Sequence, residues 1–477
     1  MPIRRSDTLH QGVFAPVAPL PDEAAYQNES ESEQAEPVSG GGWRPTGLLE
    51  WFAVAQTALP ALLYLPGNQQ SRSALRASAF LVSIAAFAFW YVDRKDRYPI
   101  PHPATRWLLM VVALLGLMVV HPQTSSLVAG FGQTALYFAV FCPIFWVPAF
   151  VVSRQKLIRV LAILLVCNGL NSVVGVLQVY DPVRWLPAQF STLYRESPIL
   201  LDISSYVGPD GRRIIRPPGL YDTPGAVCGA GTVATLLGLI FAMTGIPVWQ
   251  RAIALGFSFA GMAAIYLSHV RSSFIVSLGM IAAYLAMLMI QNQKKRLTGF
   301  LGLAGALLVF ALSFATLLGG TSIEDRFMTV FESDPRQFYY QTRGQQVESA
   351  LTNLANEYPL GAGLARWGMS ASFFQIPRDT VLWAEVQPAG WILDGGLPMV
   401  ILYSLALIAT LLWELKLVRH LPDPHDRLWA SAVVAVNVGT LALVFTFVPF
   451  LTQLGLQFWF LEGLLHGAMA YKLYQWT

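Results

Sequence analysis

Long stretches without a charged side chain alternate along this chain with short basic connections. Leu297 to Ile323, Thr223 to Gln250 and Ser272 to Gln293 are uncharged and apolar on every face, and each exceeds the roughly 20 residues a helix needs to cross a hydrocarbon core. Two longer runs, Trp107 to Ser153 and Leu428 to Leu461, have room for two crossings each. A β-barrel is excluded, because its strands alternate apolar and polar positions over about 10 residues. The pattern predicts helices at 47–65, 74–92, 106–120, 127–150, 157–180, 223–245, 250–268, 272–290, 297–317, 389–415, 428–449 and 455–473. The expected fold class is therefore all-α: a polytopic membrane protein with about twelve transmembrane helices.

Composition agrees with this reading. Of 477 residues, 55% are hydrophobic and 12% charged, against about 25% charged in soluble domains. The segment 1–45 differs in kind: acidic residues sit among Pro, Ser, Gln and Gly with little to bury, which predicts a disordered tail. Arg4 and Arg5 are followed by no apolar core of a signal peptide, so the first membrane helix doubles as the insertion signal. Residues 46–477 form the membrane domain.

Charge sets the expected orientation. With the tail cytoplasmic, the short connections on its side carry 15 Lys and Arg, whereas the opposite short turns carry only Arg72, Arg76 and Arg271. The positive-inside rule then places both termini in the cytoplasm. Two long loops, 181–222 and 318–388, face outward. In the second, Val347, Ala350, Leu351, Leu354, Ala355 and Tyr358 follow the spacing of an amphipathic helix, which Pro359 ends. In the first, Asp222-Thr223-Pro224 reads as a cap and first-turn proline of the sixth span.

The outward loops are also where chemistry is expected. They hold Arg212, Arg213, Arg216, Arg326, Arg336, Arg343, Arg366 and Arg378, and Arg271 lies in a tight turn between two spans. The planar guanidinium fork suits phosphate and stays charged at any relevant pH. Arg216, Arg271 and Arg343 are the leading candidates, with interfacial snorkelling or a salt bridge as the alternative for each. Gly361-Ala362-Gly363 either exposes backbone N–H groups to an anion or makes a tight turn after a helix. Glu385, at the mouth of the tenth span, is a candidate general base. Asp394 is a buried structural acid or an orienting group. Glu462 and His466, one turn apart, either pair, line a cavity or pack within the bundle. Cys142, Cys167 and Cys228 have no metal-ligand spacing and read as small buried hydrophobes. No Walker, HExxH or GxSxG sequence is present, so NTPase, zinc and serine-hydrolase readings have no support. The net charge of +3 gives no reason to expect nucleic acid.

The layout resembles the O-antigen ligase and O-antigen polymerase (Wzy-type) superfamily. The resemblance is carried by the large loop between spans nine and ten, by Arg343-Gly344-Gln345-Gln346-Val347-Glu348-Ser349-Ala350-Leu351 leading into Pro359-Leu360-Gly361-Ala362-Gly363, by Arg216-Pro217-Pro218-Gly219-Leu220-Tyr221, and by Ser268-His269-Val270-Arg271-Ser272. It implies a GT-C-like glycosyltransferase of the bacterial inner membrane, with its site facing the periplasm. Such an enzyme takes a glycan from undecaprenyl diphosphate and moves it to a lipid-linked repeat unit (polymerase) or to lipid A-core (ligase). Arg216, Arg271, Arg343, Gly361 and Gly363 would then bind the diphosphate, with Arg343 and Glu385 catalytic. The resemblance implies no metal or other cofactor, and as partners the lipid-linked oligosaccharide, membrane lipid, a flippase and a chain-length regulator. Ligases of this family carry His-Asn shortly before a Glu-x-Gly-x-Pro-like element. Aligning Asp394-Gly395-Gly396-Leu397-Pro398 with that element puts Glu385-Val386 in their place, which favours a polymerase. A transporter of small anions is the rival from another class, although no internal repeat supports it.

Overall fold

The computed structural model describes residues 47–474 except 66, 68–70, 94–99, 152, 187–203, 209–210, 212, 333, 375 and 378–379. The expected tail, and Arg212 and Arg378, lie outside the described residues. Each predicted stretch is helical. In chain order these are α1 Leu48–Ala61, α2 Arg72–Asp93, α3 Thr105–Val119, α4 Leu127–Phe141, α5 Pro143–Phe150, α6 Arg154–Tyr180, α7 Val227–Ala242, α8 Val248–Leu267, α9 Arg271–Ile290, α10 Lys294–Gly319, α11 Thr321–Glu332, α12 Gln387–His420, α13 Pro424–Ala442 and α14 Gln453–Tyr474. α4 and α5 together fill one expected stretch. α11 falls in the second loop, where the polar composition had hidden it.

Among the described residues, eight helices are long and apolar enough to cross a membrane: α2, α4 with α5, α6, α8, α9, α10, α12 and α13 with its short extension. The helical stretches Leu48–Tyr64, Thr105–Val119 and Val227–Ala242 are apolar but shorter. α14 is not among the eight, and it carries Glu462, His466 and Lys472.

Small residues let the helices close up. A Cβ on Gly238 would lie 2.4 Å from the Ala254 carbonyl oxygen, and Cβ atoms on Gly231 and Gly261 would each meet the other glycine's oxygen at 2.7 Å. The α7 and α8 backbones are thus in direct contact, and the Ser258 hydroxyl donates across the seam to the Thr235 carbonyl at 2.7 Å. Where lipid offers no hydrophobic drive between helices, such close approach and interhelical hydrogen bonding supply the attraction.

Two local features were not foreseen. The first loop contains an antiparallel hairpin, β1 Ser205–Val207 and β2 Arg213–Ile215, with Tyr206 opposite Ile214. The second feature is a break inside α12, at Gly395 and Gly396, where Gly396 has φ +65°. The segment after the loop helix fills this break. Leu397 N–H donates to the Pro359 carbonyl at 2.9 Å and Ala362 N–H to the Leu393 carbonyl at 2.7 Å, so backbone groups freed by the break are bonded again, as a low-dielectric interior demands.

The amphipathic helix of the second loop is present as an unbroken run, Pro335–Tyr339 through Ala355–Glu357, with π turns at Tyr340–Gly344 and Ala350–Leu354. Ala350 and Ala355 are buried against Val386, Ala389 and Ile392, flanked by Val347, Leu354 and Tyr358. Leu351 departs from the expected face and is 51% exposed. The sequence spacing assumed 3.6 residues per turn, and the wider π turn beginning at Ala350 carries Leu351 off the buried stripe.

Candidate functional site

Three arginines from separate elements meet at one end of the bundle. Arg216 directly follows β2, and its N–H extends the hairpin by donating to the Ser204 carbonyl at 2.8 Å. Arg271 opens α9. Arg326 is held by its neighbour Phe327, which packs against Tyr266 of α8 and Phe274 of α9 at ring separations of 5.0 and 5.2 Å; its Nε donates to the His269 carbonyl at 2.9 Å.

The three are close enough to repel. Burial, then Arg271, lowers the pKa of Arg216, and burial followed by Arg271 and Arg216 brings Arg326 down to about 10. Arg216 Nε is buried with no hydrogen-bond partner among the described residues. Positive charge crowded in this way is relieved by a bound anion, and guanidinium forks favour phosphate.

His269 sits within the same group. Its ring stacks on Tyr206 of β1 with centroids 3.8 Å apart, and its backbone adopts φ +57°. Burial, Arg326 and Arg216 push its pKa down to about 3, so the imidazole is neutral near pH 7.

Arg343 and Glu385 form a separate pair. Their side chains make an ion pair, and Gln346 joins them, its Nε2 donating to Glu385 at 2.9 Å and its Oε1 accepting from Arg343 at 3.3 Å. Burial lowers the pKa of Arg343. Its position in the π turn Tyr340–Gly344 aims it at the start of α12. No direct contact joins Arg343 to Arg216 or Arg271 among the described residues.

A cavity of about 760 Å³ lies beside them. Its wall includes Val270 and Ser272, on either side of Arg271, and also Arg343. The remaining charges on the wall are Arg76 and Asp222. Asp222 is not the expected helix cap: its carboxylate accepts from Arg72 Nε at 2.6 Å and Arg76 Nε at 2.9 Å, and α7 begins at Val227. Burial alone would raise the Asp222 pKa, but Arg76 and Arg72 hold it below the usual value.

Of the two readings of Gly361-Ala362-Gly363, the described contacts are those of the tight turn after a helix. Gly361 N–H donates to the Tyr358 carbonyl at 3.1 Å. A Cβ there would lie 3.2 Å from Gly395 Cα, and one on Gly363 would lie 2.4 Å from the Gln123 backbone. Both have positive φ, +102° and +89°, so glycine is required for the turn that fills α12. Asp394, beside the break, is fully buried and accepts from Gln133 Nε2 at 3.0 Å and the Tyr137 hydroxyl at 2.7 Å. That is the structural role rather than a position on the cavity wall. Glu462 pairs with His102 rather than with His466.

Sequence reasoning ranked Arg326 low because it was one of many loop arginines. The available signal was its place between Ile323 and Phe327, which are both buried and one turn apart. No protein-family model and no curated protein matches the chain.

Proposed function

We propose that the protein is a membrane glycosyltransferase of the O-antigen polymerase type. It would take a glycan from undecaprenyl diphosphate and transfer it to a second lipid-linked repeat unit. The observation that carries this reading is the convergence of Arg216, Arg271 and Arg326 near a cavity whose wall holds Arg343 and the two neighbours of Arg271, Val270 and Ser272. In this reading the arginines bind the diphosphate and stabilise the charge that develops as it leaves. The acceptor hydroxyl attacks the anomeric carbon, the bond from that carbon to the diphosphate oxygen breaks, and the hydroxyl proton passes to a base. Glu385 serves as that base once substrate draws Arg343 away from it.

With about twelve crossings in a GT-C-like arrangement and both termini cytoplasmic, this site faces the periplasm. The broken α12 is a feature that transporters share, but here the loop segment Pro359–Ala362 closes the break, which disfavours the transport of a small anion. The test is transfer from a lipid-diphosphate glycan by the purified protein in nanodiscs. Elongated lipid-linked glycan supports the polymerase, transfer only to lipid A-core supports a ligase, and no transfer to either acceptor refutes the proposal.

A further inference from the structure

A second polar cluster lies inside the bundle, about 40 Å of helix beyond the start of α12 at 1.5 Å per residue. Glu414 of α12, Asn437 of α13, and Glu462 and His466 of α14 meet His102 from the segment leading into α3, and all five are at most 3% exposed. Asn437 Nδ2 donates to Glu414 Oε1 at 2.6 Å and to Glu462 Oε2 at 3.1 Å. His102 Nε2 is 3.0 Å from Glu462 Oε1. The two carboxyl groups thus share one amide nitrogen.

The protons in this cluster can be assigned. Ala104 N–H donates to His102 Nδ1 at 3.2 Å, so Nδ1 carries no proton, and the neutral ring donates from Nε2 to Glu462. His466 Nε2 donates to the Ile100 carbonyl at 2.6 Å while its Nδ1 is buried with no partner among the described residues, so this ring is neutral too. Glu462 thus accepts from both His102 and Asn437, as suits a carboxylate. Glu414 Oε2 is buried and receives no donor. Two buried ionised carboxylates that share one amide nitrogen, with only neutral imidazoles beside them, are strongly unfavourable, so one of them holds a proton.

We propose that Glu414 and Glu462 form a buried proton-binding site, in which one proton resides on Glu414 at Oε2, the oxygen that no donor reaches. The titratable groups facing the pair are His102 and His466; Asn437 bridges both carboxyls. The bound proton ties α12, α13, α14 and the segment before α3 together, and this inference does not depend on the transfer reaction.

Infrared spectroscopy of the full-length protein in lipid nanodiscs at neutral pH tests it. The wild type and the control Asp394→Asn should both show a protonated-carboxyl C=O band that exchanges slowly in deuterium oxide, and Glu414→Gln should lack it. Glu414→Gln should also keep the wild-type unfolding temperature to within a few degrees, because the amide supplies the same donor, whereas Glu414→Ala should unfold at a clearly lower temperature. A band that survives Glu414→Gln, or that disappears in Asp394→Asn, overturns the proposal. A Glu414→Gln protein that fails to fold also overturns it, since it would show that a carboxylate is required at that position.

Discussion

The arginines at one end of the bundle repel one another, whereas the buried carboxyl groups of α12 and α14 are bridged by neutral partners. Arg216, Arg271 and Arg326 come from three elements that fix them near each other despite their like charge. Glu414 and Glu462 sit in a cluster joined by the Asn437 amide and by His102. Crowded like charge costs stability and is the mark of a place prepared for something else to bind. A buried network that links several helices stabilises the bundle on its own. The first cluster should therefore matter for activity and the second for the fold.

Single substitutions can break this division. Arg271→Ala should lower glycan transfer about 100-fold or more while the folded protein still accumulates in the membrane. Activity per folded molecule, measured beside thermal unfolding, reads both effects. Asn437→Ala should do the reverse: stranding two carboxyl groups costs about 1–3 kcal/mol, read in denaturant or thermal unfolding, with transfer by the folded fraction unchanged. An Arg271→Ala protein that unfolds, or a folded Asn437→Ala protein without activity, would erase the distinction.

A third substitution lies between the two. Gly396→Ala would place a Cβ 2.2 Å from the Pro359 oxygen at a residue with positive φ, and should cost about 1–3 kcal/mol, again read as unfolding temperature. The smallest expected effect is on pH dependence. With Arg326 at about 10 and His269 at about 3, inorganic pyrophosphate binding should show no step attributable to histidine between about pH 5 and 8. It should weaken as pH rises through 10 and Arg326 loses its proton. The sign for stability is opposite: the lowered pKa of Arg326 means that its charge disfavours the native state below about 10, and that cost fades above it. A calorimetric titration across this range measures the first effect. A step near pH 6.5 that exceeds the protonation of pyrophosphate itself and is lost in His269→Gln would show that His269 is not held neutral.

Much of the fold could be read from the chain because bilayer-length apolar runs leave few alternatives to helix. The hairpin of 205–215 escaped because strands of three residues have too little alternation to register. Gly361 and Gly363 were recognised as a turn with special backbone, but not what the turn fits against, since Gly395 and Gly396 lie more than thirty residues on. The site was half legible. Arg216, Arg271 and Arg343 were singled out, yet the partner of the first two is Arg326 and the partner of the third is Glu385. Pairings across long separations, such as His102 with Glu462, leave no local pattern at all.

The break in α12 has a consequence for biogenesis. A nascent helix with unbonded carbonyl and amide groups at its middle is a poor passenger for the lipid phase. Residues 359–362, which cap those groups, are synthesised before α12 emerges, so the chain delivers the plug ahead of the gap it fills. Moving that segment to the C-terminal side of α12 by circular permutation would leave the gap open during insertion. Such a protein should be a target for membrane quality control even though its finished contacts would be the same.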